Sequence, residues 1–406
     1  MSKIIGEFFD IRTFAITIAL VAIGLISIYS ATYDARASAI FFKQLTWAGV
    51  GALVLFLALL LPFRLLQAIS FPAYGITIAM LVAVLVVGRT VSGSTSWFNL
   101  GALRLQPSEF AKITTVLALA SFLSRPNVSL ANIKDFGVAA MIVLTPVVLI
   151  MLQPDTGTAI IFLGLLFPIL FWGGATRFVL LALMAPGVVA LAALVGTTPF
   201  LISIVVIGAL LLLLSKENRL AVAIVFAVTT LVGLSVQVIY DRLKPYQQKR
   251  IATFLDPNAD PLGAGYNILQ SKVAIGSGGL FGKGYLQGSQ TQLNFIPEQW
   301  TDFIFCVPGE EFGFMGATLV LALFALFLAR CVSIASTVNS RFASFTAIGF
   351  FGIIGVHAII NIGMALGLLP VIGVPLPFLS YGGSALLASL AMVGILMNLY
   401  ANRKAH

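Results

Sequence analysis

The chain has 406 residues, 60% of them hydrophobic and 9% charged, with a mean hydropathy of +1.06. That composition excludes a water-soluble globular domain and makes lipid the solvent. The net charge of +9 comes from lysines and arginines scattered over the junctions between apolar runs, a distribution that sets membrane topology and offers no single face to nucleic acid.

Apolar runs long enough to cross about 30 Å of hydrocarbon recur along nearly the whole chain. Only helices can do this repeatedly, because strands would need barrel closure and a period-two pattern. An all-α polytopic bundle of about twelve spans is expected, near residues 12–31, 45–63, 70–88, 107–124, 137–153, 157–174, 177–195, 199–215, 219–240, 303–329, 343–368 and 383–400. The first run starts after Ile11 and is followed by no small-residue cleavage pattern, so it reads as a retained span. With both termini inside, Lys3, Arg12, Arg64, Arg125, Lys134, Arg177, Lys216, Arg219, Arg330, Arg341, Arg403 and Lys404 fall on the cytoplasmic side. The short outer loops keep Arg36, Lys43, Arg89 and Arg104. This asymmetry satisfies the positive-inside rule and places the polar stretch 241–302 outside, with a parity that rests on the closely spaced runs of 177–240.

Of the fourteen acidic residues, Glu7, Asp10, Asp135 and Glu217 sit at expected cytoplasmic ends and the other ten lie in or near the outward half, where four segments, 89–112, 153–159, 241–302 and 367–384, are rich in Gly, Pro or polar side chains. Glu109 and Lys112, three apart at the start of a span, share a helical face and can pair, which lowers the cost of both in lipid. Asp155 reads either as an interfacial site carboxylate or as the cap of the span that begins at Thr156. Arg242, Lys244, Lys249 and Arg250 run against the positive-inside bias, as an anionic amphipathic ligand such as a lipid pyrophosphate, or the lipid headgroups themselves, would explain. GSGGLFGKG at Gly276 is no phosphate loop, since Ser277 and Gly284 stand where the motif needs glycine and Ser/Thr.

Asp302 ends the polar stretch just before Phe303, Ile304 and Phe305, and it reads equally as a general base at the membrane edge or as a helix cap. Glu310 and Glu311 follow within the expected span and need partners, for which His357 and Asn361, four apart on the next span, are candidates. His357 has only His406 as a fellow imidazole, so it reads as a packing or hydrogen-bonding residue and not as a metal ligand. Cys306 and Cys331 lack CxxC spacing and point to neither disulfide nor zinc.

Five stretches carry a resemblance: QPSEFAK at Gln106, QPDTGTA at Gln153, LDPNADPLGAGYNILQSKVAIGSGGLFGKG at Leu255, LNFIPEQWTDFIF at Leu293 and NIGMALGLLPVIGVPLPFLSYGGS at Asn361. In this order the chain resembles, over nearly its full length, the SEDS family (shape, elongation, division and sporulation). GYLQGSQTQLNFIPE at Gly284 is similar to the family's rod-shape branch more than to its division branch. The resemblance implies a glycosyltransferase that polymerises lipid II into peptidoglycan strands on the outer face of the bacterial cytoplasmic membrane. It implies as partners the growing glycan strand, a class B penicillin-binding protein, other elongation proteins and membrane lipids, and no nucleic acid.

In that frame Asp302 matches the family's catalytic aspartate, taking the proton from the acceptor hydroxyl while undecaprenyl pyrophosphate leaves. Glu109, Lys112 and Asp155 match polar positions near the family's cavity, for orientation and substrate contact. Lys112, Arg250 and Lys272 are the candidates for stabilising the departing charge, and Gln270, Glu298 and Ser380 complete the expected substrate contacts. No cofactor is specified, although a divalent cation is compatible with the chemistry. Two departures stand out: Trp300 occupies a place where relatives commonly have His, and 197–240 adds two spans to the family's usual count of about ten. A flippase using Glu310 and Asp155 as midplane charges, and a scaffold that only anchors the partner, are the rival expectations.

Overall fold

Runs of Leu, Ile, Val, Ala and Phe without a polar face fold into helices apolar on every side, because in lipid each backbone N–H and C=O must be satisfied within its own segment. The fold is a computed structural model that describes residues 9–33, 38–91, 94–100, 103–130, 132–214, 219–243, 245–256 and 265–404. Lys3, Glu7, Arg36, Lys216, Glu217 and Lys244 lie outside the described residues. Two compact units emerge, Met1–Ile169 with Tyr266–His406, and Leu170–Gly265.

In the first unit α1 (Ile11–Ala31), α2 (Ser38–Leu60) and α3 (Phe63–Val87) lead into three short strands, β1 (Arg89–Val91), β2 (Ser94–Leu100) and β3 (Leu103–Leu105). The chain continues through α4 (Pro107–Leu123), α5 (Ile133–Leu152) and α6 (Thr156–Trp172). After the second unit come α11 (Tyr266–Ser277), α12 (Ser289–Gln292), α13 (Cys306–Glu311), α14 (Gly313–Thr337), α15 (Arg341–Ala365) and α16 (Gly383–Ala401). The strands form an antiparallel meander, with Arg89 opposite Trp97 and Asn99 opposite Arg104, where only an irregular outer loop was expected.

Each expected span overlaps a helix, and among the described residues ten helices are long and apolar enough to cross a membrane. The remaining two, α4 and α6, have 17 residues each. The most apolar windows of α15 and α16 are 78% and 72% buried, against 11–39% for the other candidate spans, so these two helices lie at the centre of the first unit. α15 packs on α4 and α14, and α16 packs on α2. Outward side chains such as Leu60 and Val86 remain exposed, as lipid-facing positions do.

The expected span at 303–329 begins later than its sequence suggests. Gly313 has φ +64, and a Cβ there would lie 2.3 Å from the Gly282 nitrogen, so the apolar run breaks between α13 and α14 against a glycine loop. Glycines 278 and 282 serve this approach, since an added Cβ would meet Gly309 O at 2.2 Å and Glu311 O at 2.0 Å respectively. At the other end of α14, Arg330 pairs with Asp10, the cap of α1, at 2.9 Å.

The second unit holds α7 (Arg177–Val195), α8 (Thr197–Leu214), α9 (Arg219–Arg242) and α10 (Pro245–Leu255). The first three pack around Ala185, Val189, Ile207, Leu211 and Val222, flanked by Phe178, Phe200 and Phe226. The stretch 241–302, expected as one polar loop, is therefore divided between the units and contains α10, α11 and α12.

Candidate active site

Asp302 lies half-buried in a run of turns over 297–305 that includes Glu298, a residue with φ +56. Thr301 N donates to Glu298 O at 3.1 Å, and the Thr301 hydroxyl donates to Glu298 Oε2 at 3.0 Å. The caps of α13 and α14 are Phe305 and Phe312, so the alternative of Asp302 as a helix cap falls. Glu298 itself is exposed, with its carboxylate turned onto Thr301.

Three consecutive carbonyls of this turn are gripped from other elements. Tyr381 N donates to Trp300 O at 2.8 Å, the Ser380 hydroxyl to Thr301 O at 2.6 Å, and Asn361 Nδ2 to Asp302 O at 2.9 Å. Ser380 is buried and also accepts from Leu376 N at 2.8 Å, so its hydroxyl is engaged by the protein on both sides and supports the turn from below. Its carbonyl accepts from Gln44 Nε2 at 3.2 Å, and Gln44 Oε1 accepts from Gly382 N at 3.1 Å. A glutamine inside the apolar run of α2 is the signal by which this support was legible and was missed. The carboxylate lies over exposed Gly373, where an added Cβ would sit 3.5 Å from Asp302 Oδ2. An ionisable group is thus held on a fixed backbone beside an accessible surface, the geometry a general base needs.

Glu109 and Lys112 pair at 2.8 Å, as their spacing predicts, and Lys112 is 1% exposed. Lys112 Nζ also lies 2.9 Å from His357 Nε2, while His357 Nδ1 lies 3.0 Å from Pro375 O. A carbonyl only accepts and an ammonium only donates, so Nδ1 carries the proton, Nε2 is a bare lone pair, and the imidazole is neutral. A cavity of about 10 Å³, room for one water, is lined by these three side chains with Ser389, Pro375 and Met392. The Lys112 charge is compensated inside the protein, and the structure does not present it to a ligand.

Asp155 caps α6. Its Oδ1 accepts from Thr158 N at 3.1 Å and its Oδ2 from the Thr158 hydroxyl at 2.9 Å and from Gln106 Nε2 at 3.2 Å. The cap reading accounts for both oxygens, and Gln106 ties the start of α4 to the start of α6. Lys272, on α11, is exposed and runs along Gly367 just beyond α15, where an added Cβ would lie 2.8 Å from Nζ. Gln270 is half-buried on the same helix. Arg250 belongs to α10 of the second unit, and its side chain lies outside the described residues.

Glu310 and Glu311 find partners other than the expected His357 and Asn361, because the break at Gly313 turns α13 toward residues 283–292. Glu310 accepts from Lys283 Nζ at 2.8 Å, Gln290 N and Thr291 N at 2.9 Å each, and the Thr291 hydroxyl at 2.8 Å. Burial opposes its charge, but the ammonium and the first-turn amides of α12 outweigh it and hold this carboxyl below the usual range. Glu311 accepts from the Ser30 hydroxyl and from Leu286 N, and here burial wins, so its pKa is raised. Among the described residues no three His, Cys, Asp or Glu side chains converge to hold a metal ion.

Comparison with known proteins follows the same outline. The family model described as "Cell cycle protein", for FtsW, RodA and SpoVE, matches residues 11–205 and 196–405. The peptidoglycan glycosyltransferase MrdB of Escherichia coli K12 is 37% identical over 363 residues, 89% of this chain and 86% of that protein. The peptidoglycan glycosyltransferase RodA of Treponema pallidum is 34% identical, over 97% of this chain and 98% of that one. A chain solved in a peptidoglycan synthase complex that coordinates polymerization and crosslinking is 32% identical and superposes with a TM-score of 0.75, covering 98% of this chain and 99% of that chain.

Proposed function

The chain belongs to the SEDS family and is a peptidoglycan glycosyltransferase, and from that premise we propose that Asp302 is the base with which it polymerises lipid II. The carrying observation is the grip on the carbonyls of Trp300, Thr301 and Asp302, which fixes a half-exposed carboxylate at the edge of the bundle. Asp302 takes the proton from the acceptor sugar's hydroxyl while that oxygen bonds to the anomeric carbon of the donor strand, with inversion. The bond from that carbon to the lipid pyrophosphate breaks, and the pyrophosphate carries off the electron pair. One carboxylate suffices, since pyrophosphate leaves without the proton an ordinary glycoside needs.

Burial of Lys112 leaves Lys272, in the same unit as Asp302, as the candidate for the electrostatic role toward a diphosphate. Contact with the sugars or the lipid falls to Gln270 and Glu298, while Ser380 acts beneath the turn. The rod-shape branch is supported by relatives named RodA and MrdB, and a crosslinking class B penicillin-binding protein as partner by the likeness to the synthase complex. An outward-facing Asp302 in the cytoplasmic membrane is supported by the asymmetry of basic residues. Against transport, Asp155 is occupied as a cap and Glu310 is neutralised by Lys283, so neither is a vacant midplane charge.

The test is polymerisation of purified lipid II by the detergent-solubilised protein with its partner, comparing native protein with Asp302→Asn at matched folding. Long glycan strands from native protein and none from the variant are expected. Equal polymerisation by both overturns the assignment of the base, and no polymer from native protein revives transport.

A further inference from the structure

The segment that runs from the end of α15 to Ser380 contains Pro370, Pro375 and Pro377, and residues 370–376 form neither helix nor strand. Proline has no N–H and breaks regular pairing, so the carbonyls of such a segment need donors from elsewhere. α15 supplies them from two side chains four residues apart and therefore on one face. Asn361 Nδ2 donates to Val374 O at 2.7 Å, and His357 Nδ1 donates to Pro375 O at 3.0 Å.

Each of the two also reaches a second element. Asn361 donates to Asp302 O at 2.9 Å, and His357 accepts from Lys112 at 2.9 Å. Gly373, the residue over which the Asp302 carboxylate lies, immediately precedes the suspended carbonyls. A shift of this segment moves the floor beneath Asp302.

We propose that His357 and Asn361 are positioning residues for the transfer reaction, which place Asp302 by suspending residues 373–375 from α15. His357 acts as a permanently neutral bridge and never as an acid or a base. This rests on Asp302 being the base. The charged groups that face His357 are Lys112 and Glu109 on α4; from α16 and the proline segment come Ser389, Met392, Pro375 and Pro377, none of which titrates. An imidazolium would turn a second donor onto the Lys112 ammonium, so the network holds together only around the neutral ring.

The experiment measures kcat and KM for lipid II polymerisation across pH, with thermal unfolding recorded alongside, for native protein, H357L, H357Q, N361A, G373A and D302N. H357L and N361A are expected to lose on the order of 10²-fold in kcat with little change in KM, as a misplaced catalytic group does. H357Q, whose amide can both donate to Pro375 O and accept from the Lys112 ammonium, is expected to recover about tenfold over H357L with the native pH profile, the order of one restored hydrogen bond to a charged group. G373A moves the same segment from its exposed side without touching the core, and is expected to lower kcat even where H357L folds poorly.

Native turnover by N361A, G373A and a folded H357L would overturn the positioning role. A displaced pH profile in H357Q would make His357 a titrating group and overturn the neutral bridge. D302N separates the two claims: an active D302N removes the base and, with it, the positioning claim that rests on it, while an inactive D302N with active N361A and G373A removes the positioning alone.

Discussion

Replacing Lys112 with methionine keeps the volume of the side chain and removes its charge. The Glu109 carboxylate, buried and bonded to Lys112 at 2.8 Å, then has no ammonium, and His357 Nε2 loses its donor. Breaking a buried pair by removing one partner costs about 3–5 kcal/mol, because the remaining charge is uncompensated. The lost hydrogen bond to His357 adds little, since such bonds between membrane helices average about 0.6 kcal/mol. The charge therefore decides the outcome, and the companion change Glu109→Gln should restore most of the loss. Reversible unfolding in mixed micelles reads both variants: Lys112→Met is expected to be strongly destabilised and Glu109→Gln/Lys112→Met to lie close to native. A single variant as stable as native, or a double variant no better than the single one, would refute the idea of a structural pair. Polymerisation by the double variant adds a second reading, because Lys112→Met also removes the donor to His357: a lower kcat with KM unchanged keeps Lys112 in the network behind Asp302, while a raised KM for lipid II would return it to the substrate.

Other expectations follow from packing and charge. Gly282→Ala, with φ +84 and a Cβ 2.0 Å from Glu311 O, is expected to lower the melting temperature sharply, by the sum of about 1–2 kcal/mol for the backbone and about 1–3 for overpacking. Gly276→Ala, where nothing lies within 4 Å of the added Cβ, is the control and should melt no lower than native. Asp155→Ala should cost about 1 kcal/mol as a lost cap, and Asp155→Ser should recover much of it, both read by unfolding midpoint. Glu310, its pKa depressed by Lys283 and the α12 amides, stabilises the fold above the ordinary carboxyl range and loses that contribution as pH falls through its folded value. Glu311, its pKa raised by burial, stabilises most at low pH and loses that contribution as pH rises through its folded value. Melting at neutral pH should therefore fall in Glu310→Gln and rise in Glu311→Gln, with both differences shrinking toward pH 4; equal behaviour of the two variants would refute the split.

The spans were legible because their length and apolarity are local properties, and the Glu109–Lys112 pair because three residues along a helix is a local distance. Asp155 needed coordinates to choose between site and cap, since both readings ask for a carboxylate just before Thr156. The break at Gly313 was hidden by an apolar run that continues on both sides of it, and is imposed by the glycine loop folding in from residues 278–284. The three short strands after α3 were missed because runs of three to seven residues carry too little pattern. The grip on the Asp302 turn was invisible for a different reason. It joins backbone carbonyls to groups 59 and 79 residues away, and a peptide carbonyl leaves no mark in a sequence. That also answers the departure at Trp300, whose contribution to the grip is its carbonyl, a group that histidine would supply equally.

The grip divides mutational tolerance unevenly around Asp302. Positions 300 and 301 contribute oxygens that every amino acid possesses, and position 381 contributes a nitrogen that all but one possess, so drift can rewrite those side chains without loosening the turn. Positions 361 and 380 contribute side-chain donors, which few replacements can imitate at the same reach. A saturation library selected for growth should accordingly show an asymmetric signature: broad acceptance at 300, narrow acceptance at 361 and 380, and at 381 a specific exclusion of proline.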